Sequence, residues 1–196
     1  MRSFLSASFS HSMPAFDYAA SEVLFRFIVT GPGDAGKATV LRQLHAGVES
    51  SQRGELCVRP IGDDKIVRFD FTPVDIIQKD KYRPRAEFLT LSGRSADRAH
   101  WARLFAAVDA VLFVADSRPE KMEGNRAFLE EVAAQPSLAE VPVVFLYNKR
   151  DVPAALAVAE MDRLLNPAGA PAFQTTATTG EGLAHALAAL CALALT

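Results

Sequence analysis

Short apolar segments alternate with stretches of helical periodicity along most of this chain. Six segments have the hydrophobic pattern of buried β-strands: LFRFIVT (24–30), IVRFDF (66–71), AEFLTL (86–91), AVLFVADS (110–117), VPVVFLYNKRD (141–151) and PAFQTT (171–176). Helical patterns begin at LRQL after the first strand, at RAHWARLFAAV after the third and at MEGNRAFLEEVAAQ after the fourth, and EGLAHALAALCALAL ends the chain. This alternation predicts an α/β domain with a mostly parallel central sheet and helices on both of its faces.

The first part of the chain lacks this pattern. We predict a short N-terminal extension over residues 1–20, without regular structure, and a single folded domain over residues 21–196. The start has no apolar run long enough for a signal peptide, residue 2 is Arg rather than Gly, and the end ALALT lacks a cysteine for prenylation. We therefore expect a cytoplasmic protein without a direct membrane anchor.

Charge and cysteine content narrow the possible functions. The chain has 21 Lys and Arg against 23 Asp and Glu, a net charge of −2, so it lacks the basic excess typical of nucleic-acid-binding proteins. Its two cysteines, Cys57 and Cys191, are far apart and form no CxxC motif, which favours a reducing compartment. The four histidines are isolated and do not have the spacing of zinc ligands.

A glycine-rich loop lies between the first predicted strand and the first predicted helix. Gly31-Pro32-Gly33-Asp34-Ala35-Gly36-Lys37 has the GxxxxGK pattern of a phosphate-binding loop, in the strand–loop–helix context that such a loop requires. The glycines allow backbone N–H groups to surround phosphate oxygens, and Lys37 reaches the β- and γ-phosphates. The predicted phosphate-binding residues are Gly31, Gly33, Asp34, Ala35, Gly36, Lys37, Ala38 and Thr39.

Two residues of this loop depart from the usual pattern. Ala38 stands where a Ser or Thr hydroxyl binds Mg²⁺ in such loops, and Thr39 cannot replace it because the next helical residue points about 100° away. The carboxylate of Asp34 is expected to repel phosphate unless a neighbouring cation neutralises it.

A second polar loop follows the strand VVFLY. Its sequence, Asn148-Lys149-Arg150-Asp151, is an NKxD motif at the carboxyl end of a predicted parallel strand, where ligands bind in α/β sheets. Asp151 can accept hydrogen bonds from N1–H and the 2-amino group of guanine, which adenine does not offer. Thr176-Ala177-Thr178 precedes the last helix, where an N–H of Ala177 or Thr178 can meet the guanine O6. We predict that Asn148, Lys149, Asp151, Ala177 and Thr178 bind the base.

These motifs resemble those of the Ras superfamily, and most closely those of the MglA family of small bacterial GTPases, which control cell polarity and motility. The matching segments are FDYAASE, GPGxxGK, FDFTPVDI, VDAVLFVADS, VPVVFLYNKRDVPAAL and ATTGEG. The resemblance implies a P-loop small G-protein fold that binds GTP or GDP. It also implies roadblock-type (MglB-like) regulators and polarity or motility effectors as partners, with recruitment to a cell pole by those partners.

The same resemblance identifies substitutions at the positions that serve hydrolysis. The family's two Mg²⁺-binding hydroxyl residues fall at Ala38 and Ile66, so we expect Mg²⁺ binding to be weak or absent, with no metal ligands of the usual kind. The glutamine that places the attacking water falls at Arg94, and the family's arginine falls at Lys65. Arg94 and Lys65 are therefore the catalytic candidates, and Arg94 can instead pair with the γ-phosphate or with Asp34. We expect very slow or absent intrinsic GTP hydrolysis.

Three functions are consistent with this sequence. The first is a guanine-nucleotide-binding switch or fixed-state scaffold. The second is an active GTPase whose partner supplies the missing catalytic groups, and the third is a nucleotide-free pseudo-GTPase that acts by protein contact alone. The basic run from Lys79 to Arg85 is expected to form either a solvated hairpin or a partner surface.

Overall fold

The computed structural model describes residues 15–19, 21–61, 64–73, 82–91, 105 and 107–194, with the backbone alone for Ile61, Asp64 and Lys65. Arg94, most of the predicted helix RAHWARLFAAV and residues 79–81 of the basic run lie outside these residues. The predictions made for them therefore remain predictions.

The described residues contain an eight-stranded mixed sheet. Its strands are β1 (Ala15–Asp17), β2 (Glu22–Thr30), β3 (Cys57–Ile61), β4 (Asp64–Phe71), β5 (Arg83–Thr90), β6 (Ala110–Asp116), β7 (Val143–Asn148) and β8 (Ala172–Gln174). The order across the sheet is β3-β4-β5-β2-β6-β7-β8, and β1 pairs with the beginning of β2. From β5 to β8 the neighbours are parallel, whereas β3, β4 and β1 join in antiparallel pairs.

Helices cover both faces of this sheet, as predicted. The helices are α1 (Lys37–Gly47), α2 (Met122–Ala133), α3 (Val158–Leu165) and α4 (Leu183–Leu193), with 3₁₀ turns at Pro119–Lys121 and Pro136–Leu138. On the face that α1 and α4 cover, the rings of Phe69 and Phe88 stack with centroids 5.4 Å apart. On the other face, Phe113 packs among residues of α2 and α3. Burial of each such ring contributes about 1.5–3 kcal/mol to folding.

The order of the parallel strands determines where a ligand can bind. The first parallel strand, β2, has β5 on one side and β6 on the other, so the connections from β2 and from β5 leave the sheet in opposite directions. This reversal opens a crevice at the carboxyl ends of the strands, which is the usual binding position in open α/β sheets. The glycine-rich loop follows β2 at that position.

Part of the predicted N-terminal extension forms a strand. Residues Ala15–Asp17 form β1, and Ala15 is paired with Leu24 in the register of β2. The stacked rings of Phe16 and Tyr18 also lie beside Tyr82, at centroid distances of 5.2 and 6.2 Å. A three-residue strand is too short to show an alternating pattern, so the sequence did not reveal it.

Part of the basic run is strand rather than hairpin. Arg83, Pro84 and Arg85 belong to β5, where Pro84 is opposite Val23 of β2. The ladder with β4 begins only at Ala86, so among the described residues β5 has one neighbouring strand at Pro84, and the missing N–H leaves no gap in a central ladder. Strand β3 and helix α3 were also not predicted. β3 contains a proline and lies at an edge of the sheet, and α3 has only eight residues.

The two cysteines lie in different environments. Cys57 is exposed on edge strand β3, whereas Cys191 is buried in α4, where burial raises the pKa of its thiol to about 12.

None of the described helices combines the length and the apolar character that a bilayer crossing would need.

Candidate nucleotide-binding site

The glycine-rich loop is folded tightly against the strands beside it. Gly31 has φ 145° and Gly36 has φ 103°, conformations that favour glycine. A Cβ atom on Gly31 would overlap the carbonyl oxygen of Val114 on β6, and one on Gly36 would overlap the amide of Asn148 on β7. The loop therefore needs glycine at both positions. Backbone N–H groups of such a loop, with those of the first turn of the helix after it, are groups that can bind an anion.

The side chain of Lys37 lies over this loop. Its ammonium group donates hydrogen bonds to the carbonyl oxygens of Gly31 and Pro32, at 2.9 and 2.8 Å. These bonds hold the charge beside the loop that the sequence predicted to contact phosphate. Ala38 and Thr39 follow in the first turn of α1, and both are half-buried.

The residues present do not fit the usual ligation of Mg²⁺ in such a site. The methyl group of Ala38 packs against the apolar cluster beneath α1 and offers no oxygen atom. Ile66 lies in β4, opposite Arg59 of β3, and is likewise aliphatic. The backbone of Lys65 is next to it in the same strand, opposite Pro60.

Asn148 connects three loops that are far apart in the sequence. Its side-chain N–H donates to the carbonyl oxygen of Ala35 at 2.8 Å, and its Oδ1 accepts from the N–H of Ala177 at 2.9 Å. The hydroxyl of Thr175 donates to the same oxygen at 3.4 Å. The residue is 1% exposed. The structure therefore brings the phosphate loop and both predicted base-binding loops together.

Each of the two loops predicted to bind the base has an exposed residue. Asp151 is exposed just beyond β7, in position to accept hydrogen bonds from outside the protein. Thr178 is also exposed, and its carbonyl oxygen accepts a hydrogen bond from Gln43 of α1 at 3.1 Å. The N–H of Ala177 is engaged by Asn148, so a guanine O6 would have to share it or take a neighbouring N–H.

A group of charged side chains beside the site was not predicted from the sequence. The carboxylate of Asp116, at the end of β6, accepts hydrogen bonds from Lys149 at 2.7 Å and from Arg118 at 2.8 and 3.1 Å. Asn125 of α2 holds the backbone of Asp116 on both sides, at 2.8 and 3.1 Å. Lys149 has φ 65°, and its side chain reaches back to Asp116 at the end of β6. The only signal in the sequence was a carboxylate at a strand end, followed two residues later by an arginine.

Asp116 makes the stability of the protein depend on pH. Burial alone would raise the pKa of this carboxyl, but the hydrogen bonds from Arg118 and Lys149 outweigh burial and hold the pKa below the ordinary value of 3.8. A depressed folded pKa adds stability that is present above the unfolded value and is lost as pH falls through the folded value. We expect the urea midpoint of the native protein to fall more steeply below pH about 4 than that of Asp116→Asn. Glu123→Gln, at an exposed carboxylate of α2, is the control, and equal slopes for all three proteins would contradict the assignment.

Asn148 is expected to stabilise the fold as well as the site. The Asn148→Ala variant would leave the Ala35 carbonyl and the Ala177 N–H without their partner inside the protein. The expected loss is about 2–3 kcal/mol in the free energy of unfolding, measured by urea denaturation. Gln135→Ala is the control, because that amide makes a 3.4 Å bond within one helix end, and we expect a change below about 0.5 kcal/mol. Equal losses in both variants would show that Asn148 does not connect the loops.

Comparison with known proteins gives similarities over most of the chain. A model of the ADP-ribosylation factor family matches residues 63–193. The mutual gliding-motility protein MglA of Myxococcus xanthus (strain DK1622) is 32% identical over 189 residues, which cover 94% of this chain and 97% of that protein. ADP-ribosylation factor-like protein 1 of Drosophila melanogaster is 27% identical over 168 residues, 83% of this chain and 84% of its own. Human ADP-ribosylation factor-related protein 1 is 26% identical over 148 residues, 74% and 69% of the two chains.

The family model covers only part of the candidate site. The matched residues 63–193 include the Asn148 and Ala177 loops but begin after the glycine-rich loop. The hydrogen bond from Asn148 to Ala35 joins that loop to the matched part of the chain.

Proposed function

This chain belongs to the small GTPases of the Ras/Arf superfamily as an MglA-like member, and on that premise we propose that it is a regulatory switch or fixed-state scaffold with very weak or absent intrinsic GTP hydrolysis. Membership of the family implies guanine-nucleotide binding. The observation that supports a retained binding site is Asn148, whose side chain holds the phosphate loop and the base loops in one arrangement.

In this proposal each loop has a separate task. Lys37 and the N–H groups of residues 31–39 bind the phosphates, and Asp151 binds the guanine edge. Asn148 is bonded to Ala35 and Ala177, and Lys149 is bonded to Asp116. These bonds keep the phosphate-binding groups and the base-binding groups at a constant separation. Binding therefore requires little rearrangement of the described residues, which lowers its entropic cost.

The proposed weakness in hydrolysis rests on the groups that stand at the metal and water positions. The methyl group of Ala38 and the side chain of Ile66 supply no oxygen for Mg²⁺. Arg94, at the position of the family's glutamine, has donors but no acceptor with which to orient a water. Loss of one transition-state contact costs about 2.7–4 kcal/mol. The combined substitutions therefore favour very slow hydrolysis, so that bound GTP stays intact.

The guanine contact can be tested at Asp151. We expect Asp151→Asn to weaken the binding of guanine nucleotides by about a hundredfold, because an amide can accept only one of the two hydrogen bonds and loses the charge. The same variant should gain affinity for xanthine nucleotides, whose 2-oxo group accepts a hydrogen bond from the amide. Both affinities are measured with fluorescent nucleotides, and Glu181→Gln is the control. Unchanged guanine preference would exclude Asp151 from the base site.

The nucleotide state tests the proposal as a whole. Freshly purified protein is denatured, and the released nucleotide is identified by ion-exchange chromatography, with and without EDTA during purification. We expect GTP. Bound GDP would show that hydrolysis survives the substitutions, whereas a protein that is empty and also fails to bind added GTP would favour the nucleotide-free scaffold.

We also propose that the partners are a roadblock-type (MglB-like) regulator and effectors of cell polarity or motility, which recruit the protein to a cell pole. The similarity to a gliding-motility protein over nearly the whole chain supports this proposal. Adding a purified roadblock-type regulator to the GTP-loaded protein separates the remaining alternatives. Turnover that begins only with the regulator would favour an active GTPase completed by its partner.

A further inference from the structure

The side chain of Lys149 runs along the carboxyl end of the sheet. Its ammonium group donates a 2.7 Å hydrogen bond to the carboxylate of Asp116, which is 33 positions earlier in the sequence. Only 26% of the lysine side chain and 2% of the aspartate side chain are exposed. The methylene groups of Lys149 therefore lie between the end of β7, where the residue begins, and the end of β6, where its charge is held.

This side chain lies on the path that a bound nucleotide would take. Strand β6 is between β2 and β7 in the sheet. The phosphate loop follows β2 and Asp151 lies just beyond β7, so a ligand that reaches both must pass over the end of β6. Neighbouring strands are about 4.8 Å apart, so the ends of β2 and β7 are about 10 Å apart, which a nucleoside diphosphate can span. The methylene groups of Lys149 offer an apolar surface to a flat base at this place.

Asp116 can hold the lysine because it is itself held by two other residues. Asn125 of α2, which is buried, accepts a 3.1 Å bond from the N–H of Asp116 and donates a 2.8 Å bond to its carbonyl oxygen. Arg118 donates to the carboxylate from Nε and Nη2, at 3.1 and 2.8 Å. Two cations thus balance one carboxylate, so Asp116 adds no uncompensated negative charge beside the nucleotide path.

We propose that Asp116 is a positioning residue for the base: it anchors the ammonium group of Lys149, so that the methylene groups form a preorganised surface on which guanine packs. This role rests on the proposed guanine-nucleotide binding and adds to it a contact with the face of the base, beside the edge contact of Asp151. A free lysine side chain loses rotamer freedom when a ligand covers it, whereas an anchored one has lost that freedom already. Asp116 therefore affects nucleotide affinity through Lys149.

A double-mutant cycle between the two residues tests this proposal. Dissociation constants for a fluorescent GDP analogue are measured for the native protein, Asp116→Asn, Lys149→Met and the double variant. Asp116→Asn should weaken binding about tenfold, because an amide lacks the charge that holds the ammonium group. In the Lys149→Met background there is no ammonium group to hold, so the same change should alter affinity less than about twofold. Equal losses in both backgrounds would show that Asp116 acts without Lys149 and would overturn the proposal.

Displacement of the analogue by inorganic pyrophosphate separates a contact with the base from a general loosening of the site. Pyrophosphate has no base, so in Asp116→Asn its inhibition constant should change less than about twofold, whereas that of GDP should rise about tenfold. A similar loss for both ligands would mean that the variant disturbs the phosphate loop as well, and the proposal would fail. Glu123→Gln, at an exposed carboxylate of α2, is the control for the loss of one negative charge.

A conservative variant keeps the test decisive if Asp116→Asn folds poorly. The guanidinium of Lys149→Arg can donate to Asp116 as the ammonium group does, so this variant should bind GDP within about threefold of the native protein. Lys149→Met has no donor and should lose about tenfold in affinity. Equal affinities of Lys149→Met and the native protein would contradict the anchoring role. Thermal unfolding identifies the variants that are folded.

The outcomes also distinguish this inference from the proposed function. A native protein that binds GDP, with no coupling between Asp116 and Lys149, overturns the inference alone. A native protein that binds neither GDP nor GTP overturns both, because there is then no base for Lys149 to contact.

Discussion

Replacing Lys37 by alanine is expected to remove nucleotide binding almost completely. The ammonium group would contribute charge-assisted hydrogen bonds to phosphate oxygens, worth about 3 kcal/mol, so the dissociation constant for a fluorescent GDP analogue should rise about a hundredfold or more. In the native protein the same group bonds to the carbonyl oxygens of Gly31 and Pro32. Gly31 is buried and Pro32 is half-buried, so the loss of this donor should also lower the free energy of unfolding, by about 1–3 kcal/mol.

Arg42→Ala is the matched control for this experiment. Arg42 is an exposed cation of the same helix, one turn further along, and its removal should alter affinity less than about twofold because surface charges are screened. Equal affinities of the Lys37→Ala variant and the native protein would exclude the glycine-rich loop as the phosphate site. A large loss in both variants would indicate a general electrostatic effect of the helix instead of a specific contact.

Replacing Gly31 by alanine is expected to have the largest effect on folding. The added Cβ would overlap the carbonyl oxygen of Val114, and the φ of 145° is unfavourable for any residue with a side chain. Neither β2 nor β6 can move away, because their buried side chains belong to the two apolar clusters of the sheet. The expected loss is about 3 kcal/mol or more in the free energy of unfolding, measured by urea denaturation.

Gly33 in the same loop provides the control. A Cβ on Gly33 would have no heavy atom within 4 Å, so Gly33→Ala should change the unfolding free energy by less than about 0.5 kcal/mol. The two variants differ only in position within one loop. Similar stabilities of the two proteins would show that the loop does not contact β6 as described.

The buried strands could be predicted because their side chains meet apolar neighbours on both faces. Strands β2, β6 and β7 have almost continuous apolar sequences, and each lies near its predicted position. β1 and β3 depend on their partners. Their short sequences have no clear alternation, and they are strands because β2 and β4 offer free hydrogen-bonding edges.

The parts of the candidate site also differ in whether local sequence could predict them. The glycine loop and the Asn148 loop are contiguous motifs, so local sequence was enough to find them. The group around Asp116 is different, because Lys149 and Arg118 belong to separate loops that meet only when β6 and β7 pair.

The bonds of Asn148 have a consequence for the order in which the chain folds. Asn148 and Ala35 are separated by 113 positions, and Asn148 and Ala177 by 29. Contacts with such large sequence separations form late, because the intervening chain must be ordered before the contact can stabilise it. During synthesis, the glycine loop leaves the ribosome long before the residues that hold it in shape. A nascent chain that ends before β7 therefore has the phosphate motif without a preorganised site, and nucleotide capture becomes one of the final events of folding.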